Sequence, residues 1–304
     1  MPAPSSRPLL ICTSNGFPDY RLLDSGLGRK LERYGKIVID RPEPQALWSP
    51  RLAAKAWDRA DAVFDGDDEE GRGRWRYQGR VAESWPMQVG PVSIACQFSA
   101  FRHVGVFPEQ MPLWDWMLAK LKDARHDGQR PRLLNLFGYT GVASLLAAAD
   151  GVEVTHVDAS KKAIQWAKQN QAQSKLQDAP IRWILEDARK FVEREVRRAR
   201  TYHGILVDPP KFGRGAEGEV WDLFEHLPRL LRACEQLLDK SSSFLILNTY
   251  AIRASALSID LLAREVFAER GGLLESGELA VCEEQSDRAL SMSLFARWTN
   301  RPEQ

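Results

Sequence analysis

Beyond residue 108, apolar positions alternate between helical spacing and short continuous runs. Leu113, Met117 and Leu121 recur every fourth residue, which predicts an amphipathic helix over residues 109–125. Apolar runs then predict strands at residues 132–137, 152–157, 181–185, 205–207, 244–247, 275–282 and 289–298. Helical spacing predicts helices between them at residues 140–149, 161–174, 188–199, 221–238 and 256–269. This order predicts a doubly wound α/β sheet with helices on both faces, whose ligands bind at the carboxyl ends of the strands.

The first hundred residues follow a different pattern. Short β-like runs rich in aromatic residues lie at residues 36–40, 74–78 and 92–98, around an acidic loop at residues 65–71. They predict a small mixed or β-rich domain over residues 1–105, followed by an α/β domain over residues 106–304. Its tryptophans are interpreted as core residues: Trp48, Trp57, Trp75 and Trp85.

Composition narrows the class of protein. The chain has 304 residues and a net charge of +1, without an apolar run long enough to span a membrane. Its N-terminal residues lack a long apolar core, so we expect no secretory leader. Its four cysteines lie far apart, so we expect neither a disulfide framework nor a metal site, and a cytoplasmic location. Basic runs at residues 29–36 and 189–200 are interpreted as solvated helix faces, and together they leave room for a nucleic-acid backbone.

The loop after the first strand of the α/β region is the first candidate for ligand binding. It reads Asn-Leu-Phe-Gly-Tyr-Thr-Gly over residues 135–141, where Gly138 and Gly141 permit a tight turn and a close ligand. It has neither the Gly-x-Gly-x-x-Gly pattern of dinucleotide sites nor the Gly-Lys-Ser/Thr of phosphate loops. The alternative is a plain strand-to-helix turn.

Acidic residues end the next two strands. Asp158 is positioned to accept hydrogen bonds from ribose hydroxyls, and Asp187 from an adenine amino group. The alternative for both is capping of the helix that follows.

The fourth strand is followed by Asp-Pro-Pro-Lys-Phe at residues 208–212. Two consecutive prolines hold the backbone in one extended shape, which directs carbonyl groups toward a cleft. Asp208 and Pro210 are therefore candidates for positioning an acceptor. Phe212 is a candidate for stacking on it, and Lys211 for contacting a phosphate.

These motifs together resemble the class I methyltransferases, and more narrowly the bacterial family that includes 23S ribosomal RNA cytosine-5 methyltransferases. The resemblance covers residues 100–300 and implies a Rossmann-like seven-stranded sheet with an antiparallel final hairpin. It implies S-adenosylmethionine as cofactor, with residues 105–110 covering it. The residues that it assigns to the cofactor are Phe107, Gln110, Asn135, Phe137, Gly138, Tyr139, Thr140, Gly141, Asp158, Ala159, Glu186, Asp187, Ala188 and Asp208. Those that it assigns to catalysis are Asp208, Pro209, Pro210, Lys211 and Phe212.

One departure from the family changes the expected chemistry. Cytosine-5 methylation needs a cysteine thiolate, which the family carries after the fifth strand. The corresponding residues 248–252 read Asn-Thr-Tyr-Ala-Ile, and we expect Asn248 and Tyr250 to border the acceptor site. Direct transfer to an already nucleophilic atom is therefore expected, with a ribosomal RNA base as the leading acceptor. The alternatives are a small-molecule or protein acceptor, a non-catalytic RNA-binding assembly factor and, more remotely, a nicotinamide oxidoreductase.

Overall fold

The computed structural model describes residues 8–66, 73–126, 130–215, 217–250 and 254–301. Most of the acidic loop at residues 65–71, and Ala251 and Ile252, lie outside this part of the chain. None of the described helices is long and apolar enough to cross a membrane.

The main sheet confirms the predicted doubly wound α/β fold. Its strands are β1 (Leu10–Ser14), β9 (Arg132–Leu136), β10 (Glu153–Asp158), β11 (Ile181–Leu185), β12 (Gly204–Val207), β15 (Phe244–Tyr250), β16 (Leu273–Cys282) and β17 (Ala289–Thr299). They lie in the order β1-β16-β17-β15-β12-β9-β10-β11. Only β17 is antiparallel to its neighbours β15 and β16, as the final hairpin requires. The carboxyl ends of β9, β12 and β15 therefore meet at one edge.

The sheet has eight strands in the described chain, one more than the predicted seven. The additional strand is β1, which pairs in parallel with Gly277–Val281 of β16. The pairing of β1 has no local signal in the sequence, because its partner strand β16 lies more than 260 residues away. The boundary at residue 105 stays a prediction, and β1 is the part of the N-terminal region that joins the main sheet.

Helices cover both faces of the sheet. One face packs against α2 (Met111–His126) and α3 (Val142–Ala149), and the other against α5 (Ala188–Arg197), α6 (Leu223–Gln236) and α7 (Ala256–Phe267). A further helix, α4 (Lys161–Gln173), contacts β10 and β11. A 3₁₀ turn, Pro108–Gln110, precedes α2, and the short strands β13 (Phe212–Arg214) and β14 (Val220–Asp222) precede α6.

The N-terminal region is β-rich, as predicted. A five-stranded sheet contains β2 (Tyr20–Gly26), β3 (Arg29–Tyr34), β4 (Ile37–Pro42), β5 (Ala62–Gly66) and β6 (Gly73–Tyr77). A hairpin contains β7 (Ser84–Val89) and β8 (Val92–Gln97), and α1 (Ala54–Trp57) lies between β4 and β5. The four tryptophans pack within this region. Trp75 and Trp85 are buried. Trp48 and Trp57 are half-buried, and they donate hydrogen bonds to Ser25 and Asp24, respectively.

The interpretation of residues 29–36 as a solvated helix face is wrong. Most of this run is β3, an inner strand between β2 and β4, so that its side chains are partly enclosed. Lys30 is 2% exposed and forms an ion pair with Glu43 at 3.1 Å. A buried ammonium group that already has an acidic partner is not available to a nucleic acid.

Glu32 and Arg41 form a second buried ion pair in this sheet. Arg41 Nη2 lies 2.7 Å from Glu32 Oε2, and the hydroxyl groups of Tyr20 and Tyr34 also donate to Glu32. Burial alone would raise the pKa of Glu32, but Arg41 and Lys30 lower it overall. Arg41 Nη1 also donates to the carbonyl of Arg102 at 2.8 Å. The pair thus connects the N-terminal sheet to residues 98–110, here called the cover segment.

We predict that Arg41→Met destabilises the protein by about 3–5 kcal/mol, because it leaves a buried carboxylate without a cation. The double variant Glu32→Leu with Arg41→Met should lose less, since it removes both charges. The free energy of unfolding from urea titration is the measurement. As a control, Arg76→Met removes an exposed ion pair with Asp65 and should change little. Equal losses for Arg41→Met and Arg76→Met would contradict the role given to the buried pair.

Candidate active site

A cleft of about 570 Å³ lies at the carboxyl ends of β9, β12 and β15, beneath the cover segment. Its lining includes eight of the residues predicted to bind the cofactor: Phe107, Gln110, Asn135, Phe137, Gly138, Tyr139, Thr140 and Asp208. The structure therefore brings two predicted loops and the cover segment to one place.

The β9–α3 loop is held in an unusual backbone conformation. Phe137 and Tyr139 have φ angles of 57° and 49°, in the left-handed region that side chains seldom adopt, and Gly141 has 84°. Thr140 Oγ1 donates to the carbonyl of Gly105 at 2.6 Å, which ties the loop to the cover segment. Backbone strain of this kind is often found at ligand sites.

A packed imidazole ring supports the loop from below. A Cβ atom added at Gly138 would lie 2.3 Å from His156 Cε1, so that the backbone rests directly on this ring. His156 Nδ1 lies 3.0 Å from Ser144 Oγ, which accepts a hydrogen bond from Asn135. Burial lowers the pKa of His156 to about 3, so the ring is neutral at physiological pH.

Asp158 ends β10 and accepts two backbone hydrogen bonds. Tyr139 N donates to its Oδ2 at 2.9 Å, and Ser160 N donates to its Oδ1 at 2.8 Å. Burial raises the pKa of this carboxyl group. The capping alternative for Asp158 is wrong, because Ser160 caps α4 by accepting from Ala163 N. Neither Asp158 nor Ala159 lines the cleft itself.

The acidic residues after β11 have partners of their own. Asp187 caps α5 by accepting from the backbone N–H groups of Arg189 and Lys190, which is the capping alternative. Glu186 forms a bidentate ion pair with Arg194. Glu186, Asp187, Ala188 and Gly141 are not in the lining of the cleft, and their assignment to the cofactor stays a prediction.

Asp208 lies between two amide side chains on the floor of the cleft. Gln110 Nε2 donates to Oδ2 at 2.8 Å, and Asn248 Nδ2 donates to Oδ1 at 2.6 Å. Burial raises the pKa of Asp208 to about 6, although the hydrogen bonds from Asn248 and Gln110 lower it. The three residues come from the loop after β12, the 3₁₀ turn and β15.

Residues 209–212 leave the cleft toward the surface. The carbonyl of Pro210 accepts from Trp221 Nε1 at 2.6 Å, so this carbonyl faces the hairpin of β13 and β14. Lys211 Nζ lies 5.1 Å from the centre of the Phe212 ring, which is 59% exposed. None of Pro209, Pro210, Lys211 and Phe212 lines the cleft, and their catalytic assignment stays a prediction.

Aromatic side chains flank the cleft beside the cover segment. The Phe107 ring centre lies 5.7 Å from that of Tyr139 and 6.1 Å from that of Tyr250, and His103 packs between Phe107 and Tyr250. Sequence reasoning missed most of the apolar lining, namely Leu113, Trp114, Val142, Ala143, Leu206, Val207 and Ile246. These residues carry no signal that distinguishes a ligand wall from ordinary core.

We predict that Gly138→Ala removes binding of S-adenosylhomocysteine, the expected product of the cofactor, because the new methyl group displaces the β9–α3 loop from His156. Isothermal calorimetry should show at least a tenfold loss of affinity. The double variant Gly138→Ala with His156→Ala removes the clashing ring and should regain part of it. Binding by Gly138→Ala equal to that of the unmodified protein would contradict the tight packing of the loop.

The raised pKa of Asp208 predicts a pH dependence of stability. The folded protein takes up a proton as the pH falls through about 6, whereas the unfolded chain does so only near the ordinary value of 3.8. Lowering the pH from about 7.5 to about 5.5 should therefore stabilise the ligand-free fold by about 1 kcal/mol through this group. Asp208→Asn should lack this contribution in urea titrations at the two pH values. An identical pH dependence of stability in the unmodified protein and in Asp208→Asn would disprove the contribution of Asp208.

Comparison with known proteins gives a family for this architecture. The crystal structure of an S-adenosylmethionine-dependent methyltransferase from Agrobacterium tumefaciens is 51% identical, covers 96% of this chain and 94% of its own, and has a TM-score of 0.91. A putative S-adenosylmethionine-dependent methyltransferase from Streptococcus mutans shares the fold, with a TM-score of 0.68 at 16% identity, over 92% of this chain and 75% of its own. The family model described as conserved hypothetical protein 95 matches residues 115–234.

Curated relatives match a shorter part. The ribosomal RNA large subunit methyltransferase K/L of Desulfotalea psychrophila is 28% identical over 184 residues, which are 59% of this chain and 24% of that protein. The K/L enzyme of Shewanella frigidimarina is 33% identical over 118 residues, 38% of this chain and 16% of its own length. The aligned segments thus make up a quarter or less of these two relatives. The likeness over nearly its whole length to the Agrobacterium enzyme shows that the chain belongs to the S-adenosylmethionine-dependent methyltransferases.

Proposed function

We propose that this methyltransferase acts on a base of RNA, with ribosomal RNA as the first candidate, and transfers the methyl group directly. The observation that carries the proposal is the cleft floor at Asp208, which has no thiol in its lining and is followed along the chain by Lys211 and the exposed Phe212. The K/L relatives, which are named for large-subunit ribosomal RNA, support the choice of acceptor.

The position of the cysteines supports direct transfer. None of Cys12, Cys96, Cys234 and Cys282 lines the cleft. Cys96 and Cys234 are buried, and burial raises the pKa of each thiol above its ordinary value, which leaves them unreactive. The end of β15, near which the family that the sequence resembles carries its cysteine, has Tyr250 and no cysteine, and the Tyr250 ring packs against His103. The acceptor atom must then be nucleophilic before it binds.

The residues of the cleft suit S-adenosylmethionine. The sulfonium group of the cofactor supplies a reactive methyl group. The protein therefore has to bind and orient the cofactor and the acceptor and to exclude water, rather than provide a strong base. The backbone of the strained β9–α3 loop at Gly138 is proposed to contact the methionine end of the cofactor. Asp158 is proposed to bind the ribose with the lone pairs that the Tyr139 and Ser160 amides leave open. Asp187 is proposed to lie on the adenine side.

The acceptor is proposed to stack at the mouth of the cleft. Phe212 exposes its ring four residues after Asp208, and Lys211 beside it adds a positive charge, a combination that suits a base and its phosphate. On α5 and just beyond it, Arg189, Lys190, Arg194 and Arg198 bind acidic or carbonyl oxygens. Among the described residues, Arg197 and Arg200 have no acidic partner, and these two remain for phosphates.

The test is transfer of labelled methyl groups from S-adenosylmethionine to unmodified ribosomal RNA made by transcription, against the small-molecule and protein fractions of a lysate. We expect label in the RNA, and a loss of at least a hundredfold in Asp208→Ala. Phe212→Ala should weaken transfer, with little effect on S-adenosylhomocysteine binding.

Binding of the RNA should weaken as salt is raised, because it depends on phosphate contacts. Label confined to small molecules or protein would replace the RNA proposal by the corresponding acceptor. Salt-sensitive RNA binding without any transfer would favour an assembly factor.

A further inference from the structure

A second groove lies at the opposite edge of the main sheet, at the amino ends of β9, β10 and β11. It encloses about 950 Å³ of space that is open to solvent, and residues 200–202, between α5 and β12, form one of its sides. β10 has six residues, so at about 3.3 Å per residue the groove lies about 20 Å from the carboxyl ends of the strands. Its lining shares no residue with that of the cleft, so it is a separate surface.

Three arginine side chains in this lining have no carboxylate partner among the residues that the structure describes. Arg132, at the start of β9, donates to the hydroxyl oxygen of Thr201 at 2.8 Å. Arg182, on β11, is exposed, and its guanidinium carbon lies 5.9 Å from the centre of the Phe191 ring. Arg200 is exposed, and within the described chain its side chain has neither a hydrogen bond nor an ion pair.

The two acidic residues of the lining are bound to other partners. Glu153 forms an ion pair with Arg130 at 3.0 Å. Glu195 is 1% exposed, accepts from the Tyr202 hydroxyl group at 2.8 Å and pairs with Arg198 at 3.3 Å. Because these carboxylates are compensated by residues other than the three arginines, the groove keeps an excess of positive charge.

Exposed arginines on the neighbouring helix α6 are arranged differently. Arg229 pairs with Glu193 at 2.9 Å, and Arg232 pairs with Glu265 at 2.5 Å. A guanidinium group that has no such partner presents a planar fork of N–H donors, which fits the oxygens of a phosphate. Three of them in one groove favour a ligand with more than one negative charge.

The rest of the lining indicates which part of such a ligand the groove can hold. Tyr202 is the only aromatic residue among the described lining residues, and it is buried. A nucleotide base therefore finds no exposed ring on which to stack. The groove suits successive phosphates rather than a base or a free nucleoside.

We propose that this groove binds the phosphate backbone of the acceptor RNA, at nucleotides remote from the methylated base. The proposal rests on the proposed function, because it takes the ligand to be the RNA that enters the cleft. Contacts to phosphates position a nucleic acid without reading its sequence. The groove thus holds the RNA at one edge of the sheet while the base is presented at the other.

The double variant Arg182→Gln with Arg200→Gln tests the groove, and both side chains are exposed, so the fold should be kept. The probe is a set of fluorescein-labelled transcripts of large-subunit ribosomal RNA, whose binding is followed by fluorescence anisotropy at several salt concentrations. We expect the affinity to fall about tenfold, and the slope of log affinity against log salt to fall by about 1.4–1.8, since two phosphate contacts are lost. Binding of S-adenosylhomocysteine, measured by calorimetry, should not change.

Two further variants serve as controls. Arg182→Lys with Arg200→Lys keeps both charges and should retain most of the salt slope. Arg59→Gln with Arg80→Gln removes the same net charge from the N-terminal region, where both side chains are exposed and have no acidic partner within the described ranges. Its RNA affinity should stay within about threefold of that of the unmodified protein, because distant exposed charges are screened by salt.

Equal losses of affinity in the groove variant and in Arg59→Gln with Arg80→Gln would overturn the groove and leave the RNA acceptor standing, because the acceptor is tested by methyl transfer. A slope that falls as far with lysine as with glutamine would also overturn it, since the loss would not come from charge. RNA binding without salt dependence in the unmodified protein would reject the groove and weaken the RNA acceptor. Binding that depends on the groove without methyl transfer to RNA would keep the groove and reject RNA as the acceptor.

Discussion

The hydrogen bonds to Asp208 hold together the segments that build the cleft. Gln110 belongs to the turn before α2, Asp208 follows β12 and Asn248 lies in β15, so one carboxylate fixes three separate parts of the chain. Its position at the sheet edge follows from the parallel strands, whose carboxyl ends must meet there. The free-energy cost of ionising the Asp208 carboxyl group follows from its burial in a cleft whose lining holds no cation.

The cover segment carries this constraint outward to the N-terminal sheet. Arg41 is fixed by Glu32 and donates to the carbonyl of Arg102, and Thr140 donates to the carbonyl of Gly105. The backbone between these two bonds leads directly to Phe107 and Gln110. This buried ion pair therefore contributes to where the cleft is covered. The N-terminal sheet accordingly has a structural part in the site, whatever else it binds.

The sequence predicted the sheet and the loops well because their signals are local. Apolar runs mark β9 to β12 one by one, and chain order then fixes where Asn135, Asp158 and Asp208 lie along the edge. The strand β1 was missed because its partner β16 is remote in sequence. Asp187 illustrates a different limit: an acid before a helix has the same sequence pattern whether it caps the helix or binds a ligand, and here it accepts the helix N–H groups. The hydrogen bonds to Asp208 join residues that are 98 and 40 positions apart, so no spacing in the sequence could predict them.

The end of β15 has Tyr250 and no cysteine, and this has a consequence for the whole cleft. A thiolate nucleophile would need a neighbouring base and space to attack a ring carbon, and the phenol at this position instead packs with Phe107 and His103. Burial raises the pKa of Tyr250, so the phenol stays protonated and cannot take over the role of a thiolate. What remains is a group of packed aromatic side chains beside the cleft that Asp208 lines. Such a cleft can align a sulfonium with an acceptor that already has a lone pair, and alignment is the contribution that methyl transfer of this kind requires.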